Sequence, residues 1–225
     1  MSEIKKFKYS LIIPLLFLSI MWIIKIYEAT LNFNFSDFGI FPLKLSGLKG
    51  IIFGPLIHGS FEHLITNSIS FGVLCIGLFY FFRKYAYQIF ALMYLITGVL
   101  VWIIGRGSFH IGISGIIYAL ASFIFFSGIF SKKREYIAVS LVVVFQYGSM
   151  IWGIFPGKEE ISWESHFMGF ITGIFLSVVY NKKIIADTVT TEIEEDDFDT
   201  NFYDFQNIDS TEDIDFEYEY KENEK

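Results

Sequence analysis

The chain has 225 residues, of which 53% are apolar and 20% aromatic, and its formal net charge is −7. Several long stretches carry no charge, which excludes a soluble globular protein and predicts an all-α polytopic membrane protein in a lipid bilayer. Cys75 is the only cysteine, so an intrachain disulfide and a thiol redox pair are excluded as well.

Six segments are apolar and long enough to cross a membrane as helices, since about 20 residues span a hydrocarbon core of ~30 Å. A basic N-terminus precedes the first segment, as in a signal peptide, but no small-residue cleavage site follows it. We therefore predict six transmembrane helices, at residues 10–27, 60–82, 87–105, 114–130, 136–154 and 165–180.

Residues 28–59 form a long loop after the first predicted helix. Pro42, Pro55 and several glycines interrupt this loop, so it cannot span the membrane as a helix. Part of it could still enter the membrane and return to the same side. Lys25 lies near the end of the first helix, and we expect its long side chain to reach outward to water.

Basic residues alternate between the two sides of the predicted helices. Ten of them lie on the side that contains the N-terminus, and four lie on the opposite side. The positive-inside rule therefore predicts that both termini are cytoplasmic. The abundance of Ile, Lys, Phe and Asn favours a bacterial inner membrane. The four opposite residues are Lys44, Lys49, Arg106 and Lys158.

The composition changes after Lys183. Residues 184–225 contain 16 of the 24 acidic side chains and only two of the 17 basic ones, so residues 1–183 are net basic. Dense like charge without periodicity predicts a disordered cytoplasmic tail after a membrane domain of residues 1–183. Phe and Tyr side chains among the acids suit docking of a cytoplasmic partner, and no nucleic-acid partner is expected.

Polar side chains inside spanning segments are costly and by default indicate a functional site. We counted residues from each polar side chain to the basic cytoplasmic end of its helix, at ~1.5 Å per residue. By this count four of the side chains lie at a similar depth, ~24 to 30 Å from that end. They therefore can meet just below the outer edge of the hydrocarbon. These four residues are His63, Asn67, Ser114 and His166.

These residue types suit acyl transfer. Ser114 hydrogen-bonded to a neutral His166 would be an activatable nucleophile with its general base. His63 and Asn67 share one helix face because they are four residues apart, and with the Ser114 N–H they could stabilise an oxyanion. Gly112 would let a substrate backbone approach the serine.

Small residues predict how the fourth and sixth helices pack. Gly115 and Ala119 on the fourth helix, and Gly169 and Gly173 on the sixth, form two small-xxx-small faces. Pressed together, these faces would hold the serine against the histidine.

Three motifs in this order resemble those of rhomboid intramembrane serine proteases: HGSFEHLITN at 58–67, GISG at 112–115 and HFMGFITG at 166–173. The resemblance implies a six-transmembrane-helix bundle with a Ser114 and His166 dyad and no acidic third member. It implies an oxyanion hole of His63, Asn67 and the Ser114 N–H, with Tyr118 stacked on the histidine. The implied substrates are transmembrane proteins cut near the outer membrane face.

The same residues allow other interpretations. Ser114 could be an N-cap, and His63 and Asn67 could only join helices. His58 lies off their shared face and suits a structural brace for the loop. Three histidines could suggest zinc, but no HExxH motif is present, and we expect no metal or cofactor.

Three function classes follow from these interpretations. The first is a serine endopeptidase, and the second is a catalytically inactive relative that binds transmembrane segments. The third is a small-solute transporter, which is disfavoured because the chain has no internal repeat and no charged chain at the membrane midplane.

Overall fold

The structure of the chain is a computed structural model that describes residues 2–156 and 162–206, with side chains described up to Ala186. In these ranges the chain is helical, and its one β-type contact is a bridge between Ile40 and His110. The disorder predicted for the acidic tail falls in part on residues 207–225, outside the described residues, and stays a prediction.

The described part of the chain contains six helical stretches that are long and apolar enough to cross a membrane. This confirms the prediction of an all-α polytopic membrane protein with six spans. The helices are α1 (Glu3–Ser10), α2 (Ile12–Leu31), α3 (Gly50–Phe53), α4 (Phe61–Phe81), α5 (Ala86–Ile104), α6 (Ser114–Ser131), α7 (Arg134–Tyr147) and α8 (Trp163–Gln206).

Local chemistry explains several of the helix boundaries. Pro14 has no N–H to donate to the carbonyl of Ser10, which explains the break between α1 and α2. Asn32 ends α2 in the left-handed conformation, with φ 49°. Ser60 caps α4, because its Oγ accepts the N–H of His63 at 3.1 Å.

Helix α6 occupies the centre of the bundle. In the apolar stretch of α6, 72% of the residues are buried inside the protein. The buried share is only 17% in the stretches that contain α2 and α7. Since lipid surrounds the outer helices, only α6 is enclosed by protein along most of its length. The largest fully buried side chains of the core include Phe71, Leu78, Met93, Ile117 and Phe123.

Helices α6 and α8 approach each other at the glycines. A Cβ on Gly169 would lie 1.9 Å from the carbonyl oxygen of Gly115, and one on Gly173 would lie 1.9 Å from Ser122 Oγ. The hydroxyl of Ser122 also donates to the carbonyl of Phe170 at 3.0 Å. The two backbones are therefore too close to admit even a methyl group between them.

The loop between α2 and α4 is folded and packs on the C-terminal half of α5. Tyr94 donates its hydroxyl proton to the carbonyl of Ile52 at 2.6 Å, and Trp102 Nε1 donates to the carbonyl of Lys44 at 2.9 Å. Besides α3, the loop contains three 3-10 turns, at Ser36–Phe38, Leu45–Gly47 and Gly54–Leu56.

The backbone of α8 continues past Lys183, where the sequence predicts the end of the membrane domain. Residue contacts make the described chain up to Ile184 one compact unit. Ile184 is 4% exposed and belongs to the main hydrophobic core, so this unit includes at least one residue beyond Lys183.

Candidate active site

Ser114 and His166 lie side by side at one end of the bundle. Ser114 is the first residue of α6 and His166 lies in the first turn of α8, and the close packing of these helices brings them together. Ser114 Oγ is 2.8 Å from His166 Nε2, and both side chains are buried. This is the geometry in which an imidazole can accept a serine proton.

The other ring nitrogen of His166 fixes its tautomer. His166 Nδ1 lies 2.9 Å from the carbonyl oxygen of Gly153, which can only accept a hydrogen bond. Nδ1 therefore carries the proton, and Nε2 is left as the acceptor for the hydroxyl of Ser114. A backbone carbonyl thus occupies the position that an acidic third member would take.

Tyr118 fixes the plane of the histidine ring. The two rings are stacked, with centroids 4.3 Å apart and an interplanar angle of 13°. Tyr118 donates its hydroxyl proton to the carbonyl of Met150 at 2.7 Å. A Cβ on Gly153 would lie 2.0 Å from that hydroxyl, so glycine is required for this contact.

His63, Asn67 and Gly112 meet beside the loop that leads to the serine. Gly112 has φ +99°, a conformation that favours glycine, and its N–H donates to the carbonyl of Gly54 at 2.9 Å. A Cβ on Gly112 would lie 3.1 Å from His63 Cε1 and 3.8 Å from Asn67 Nδ2. The α-carbon of Gly112 therefore faces both side chains.

The amide of Asn67 is a buried donor that nothing in the described part of the chain satisfies. Its Nδ2 has no hydrogen-bond partner there. An unsatisfied buried donor costs about 1 to 3 kcal/mol, so such groups call for a specific explanation. One such explanation is that the donor is held ready for a negatively charged oxygen.

His58 lies behind the serine loop. Its side chain is buried, and its Nε2 accepts the N–H of Ile113, although the distance of 3.5 Å makes this a weak hydrogen bond. Burial, with the neighbouring His63 ring and the Lys25 ammonium, lowers the pKa of His58 to about 3. The ring is therefore neutral, in keeping with a brace that supports the loop.

Comparison with known proteins assigns the family. The family model for the rhomboid domain matches residues 46–183. The chain belongs to the rhomboid family. The resemblance seen in the motifs is thereby confirmed, and the matched range contains every candidate site residue named so far.

Several mycobacterial proteins are similar to this rhomboid chain. It is 30% identical over 171 residues to uncharacterized proteins of Mycobacterium tuberculosis and Mycobacterium bovis, which is 71% of this chain and 70% of theirs. It is 28% identical over 169 residues to an uncharacterized protein of Mycobacterium leprae, which is 71% of this chain and 67% of that one.

The rhomboid domain is braced by a lysine whose predicted orientation is wrong. Lys25 does not reach outward to water, because three acceptors surround its ammonium inside the protein. Its Nζ lies 2.9 Å from the carbonyl of His58, 3.0 Å from that of Gly59 and 3.2 Å from Glu28 Oε2. The carbonyls are 33 and 34 residues away in sequence, so no local pattern indicates the contact.

A second polar network, also missed in the sequence, joins the loop before the serine to the start of α8. His110 Nδ1 lies 2.6 Å from Ser162 Oγ, and its Nε2 lies 3.0 Å from the carbonyl of Arg106. Arg106 also pairs with the buried Glu164, at 3.6 Å. Burial is the main cause that lowers the pKa of His110. The network links the segments that carry the serine and the histidine.

Proposed function

We propose that this rhomboid protein is an intramembrane serine endopeptidase that cleaves transmembrane protein substrates near the outer face of the membrane. One observation carries the proposal, the contact of 2.8 Å between Ser114 Oγ and His166 Nε2. The carbonyl of Gly153 supports it, since it leaves Nε2 free to accept the proton.

The acylation step uses the two residues as nucleophile and base. Ser114 Oγ attacks the carbonyl carbon of the scissile peptide bond while His166 Nε2 takes its proton. The tetrahedral oxyanion accepts hydrogen bonds from Asn67 Nδ2, the His63 ring and the Ser114 N–H. The intermediate collapses as His166 returns the proton to the leaving amine, which forms an acyl-enzyme and releases one product.

Hydrolysis of the acyl-enzyme repeats the same chemistry. His166 Nε2 takes a proton from water, and the hydroxide attacks the ester carbonyl at the position that the amine has left. The proton then goes to Ser114 Oγ, which restores the serine and releases a carboxylic acid.

The position of the dyad along the helices supports a cut near one membrane face. From Ser114 to Ser131 the 18 residues of α6 extend ~27 Å, about the thickness of the hydrocarbon core. The basic residues lie beyond the far end of α6, at Lys132 and Lys133. With both termini in the cytoplasm of a bacterium, the dyad would face the outer side of the inner membrane.

Phosphonate labelling and cleavage of a model single-span substrate test this function together. The purified wild type should react with a fluorophosphonate and cut the substrate at a site that mass spectrometry can map. Ser114→Ala should abolish both. Ser127→Ala is a matched control, because Ser127 is buried on the same helix and its hydroxyl has no partner among the described residues.

Each outcome has one interpretation. Cleavage by Ser114→Ala would show that another residue is the nucleophile. A folded wild type that binds the substrate but neither reacts nor cleaves would instead identify a catalytically inactive relative that binds transmembrane segments.

A further inference from the structure

We propose that the ion pair of Lys25 and Glu28 is a positioning device for the oxyanion hole. It lies at the outer end of α2, outside the three motifs that carry the dyad and the oxyanion donors. Lys25 contacts no candidate catalytic side chain directly, so it acts through the backbone at His58 and Gly59. This inference rests on the proteolytic function proposed above.

Each N–H of the Lys25 ammonium has a hydrogen-bond acceptor nearby. A lysine ammonium has three donors, and Lys25 finds three acceptors, which are the two carbonyls and the Glu28 carboxylate. The side chain of Lys25 is 13% exposed and that of Glu28 is 5% exposed, so water screens the pair little. Hydrogen bonds from a charged donor are stronger than neutral ones, and the carbonyls are therefore firmly held.

Glu28 anchors the lysine at its other side. One carboxylate oxygen contacts Lys25, and the second accepts the N–H of Phe35 at 2.8 Å. The backbone carbonyl of Glu28 also accepts the N–H groups of Asn32 and Phe33. The carboxylate is thus fixed at both oxygens, and the lysine cannot move without disturbing the end of α2.

The backbone at His58 and Gly59 is connected both to His63 and to the start of the serine helix, both of which supply oxyanion donors. Along the chain, Gly59 is followed by Ser60, which caps α4 through the N–H of His63. Across space, the His58 ring accepts the N–H of Ile113 next to the serine, and its centroid lies 5.3 Å from that of the His63 ring. A shift of these two carbonyls would therefore move donors on α4 and at the start of α6.

Packing alone does not fix this segment. No described atom lies within 4 Å of a Cβ built on Gly59, and glycine has the widest backbone freedom of any residue. The residue before the α4 cap thus has open space around it and depends on hydrogen bonds for its position. Among the contacts of the described residues, Lys25 supplies the one to its carbonyl.

The test compares kcat and KM for cleavage of the model substrate by full-length protein. Lys25→Met should lower kcat by ~10 to 100-fold with little change in KM, because displacement of an oxyanion donor by about 1 Å costs turnover more than binding. Lys25→Arg should recover part of the loss, since it keeps the charge and the donors. Lys44→Met, the same change in the external loop at a lysine over the Phe41 ring, is the matched control.

A double-mutant cycle separates positioning from general stabilisation. If Lys25 acts through the oxyanion hole, Lys25→Met should cost less than threefold in kcat in protein that already carries His63→Ala, because coupled residues are not additive. A kcat loss of the same factor in both backgrounds would show that Lys25 acts independently of this donor and would overturn the proposal.

A second variant covers the case in which Lys25→Met does not fold. Removing one partner of a buried pair leaves an uncompensated charge, which is strongly destabilising. Lys25→Met combined with Glu28→Gln leaves no charge and keeps an amide oxygen for Phe35, so it should fold and still show the kcat loss. Wild-type kcat in this folded variant overturns the positioning role alone, whereas a wild type that does not cleave overturns the proteolytic function and this inference with it.

Discussion

The two sides of the candidate active site are held in different ways. Ser114 and His166 are brought together by α6 and α8, whose backbones approach closely at Gly115, Gly169 and Gly173, with only the small Ser122 side chain beside Gly173. His63 and Asn67 lie on α4, and the segment just before this helix is held by the long side chain of Lys25 from α2.

This difference has consequences for tolerance to change. A contact between backbones has no side chain that can rotate away, so it is rigid and admits no added atom. The lysine and glutamate contacts depend instead on two side chains, so a substitution there removes hydrogen bonds without forcing two helices apart. The dyad side should therefore respond to substitution by complete loss, and the oxyanion side by graded loss.

The largest effect is expected for the dyad itself. Ser114→Ala, His166→Ala and the double variant should each reduce cleavage to background while the protein stays monodisperse in detergent. The losses should not add, because the two residues act as one unit. Turnover of the model substrate and the elution profile check this, and cleavage clearly above background by either single variant would show that the residues do not act as one unit.

Added atoms at the α6 and α8 contact should destabilise the fold. Gly173→Ala places a methyl group 2.3 Å from the carbonyl oxygen of Ala119, so the helices must separate at a cost of about 1 to 3 kcal/mol. Gly173→Val should cost more. Melting temperature in detergent measures the effect.

The matched control for this substitution is Gly72→Ala on α4. A Cβ there meets Leu18 at 3.8 Å, an ordinary contact, so its melting temperature should stay near the wild-type value. Equal melting temperatures for Gly72→Ala and Gly173→Ala would mean that the close approach of α6 and α8 does not limit stability.

Loss of single oxyanion donors should give the intermediate, graded effect. Asn67→Ala and His63→Ala should each lower kcat by ~10 to 1000-fold without abolishing phosphonate labelling. Thr66→Ala, an exposed position between them on α4, serves as the control and should retain kcat within about twofold. If the Asn67 variant turned over like the wild type, Asn67 would be a residue that only joins helices.

The parts of the site that depend on residue type and spacing could be predicted from the sequence. The six helices follow from apolar length, and the meeting of Ser114 with His166 follows from equal depth and from the small residues on facing helices. Gly153 could not be predicted, because it acts through a carbonyl that every residue possesses. Lys25 points inward because of acceptors more than 30 residues away, which no local pattern encodes.

A pH-dependent effect should sharpen the comparison on the oxyanion side. The pKa of His58 is lowered from its ordinary 6.5 to about 3, and burial is the largest cause. Below about pH 6.5 the unfolded chain binds a proton that the folded protein cannot, so stability is lost as the pH falls toward 3. His58→Gln keeps an acceptor for Ile113 but does not titrate. Its melting temperature should fall less between about pH 7 and 4 than that of the wild type, and equal slopes would contradict the buried neutral ring.

The smallest effect is expected for removal of the acidic segment. Both sides of the candidate site are built from residues before Ala186, and the compact unit ends at Ile184. A chain truncated after Ala186 should therefore cleave a model substrate in detergent within about twofold of the full-length kcat.

Truncation after Lys183 tests where the functional core ends. It also removes Ile184, which is buried in the main core, and deleting a buried aliphatic side chain costs about 2 to 5 kcal/mol. We expect this shorter chain to melt at a lower temperature than the one ending at Ala186, with similar kcat in the molecules that remain folded. If the chain ending at Ala186 were monodisperse but inactive, residues 187–225 would be coupled to catalysis, and the division into a catalytic membrane core and a dispensable tail would be wrong.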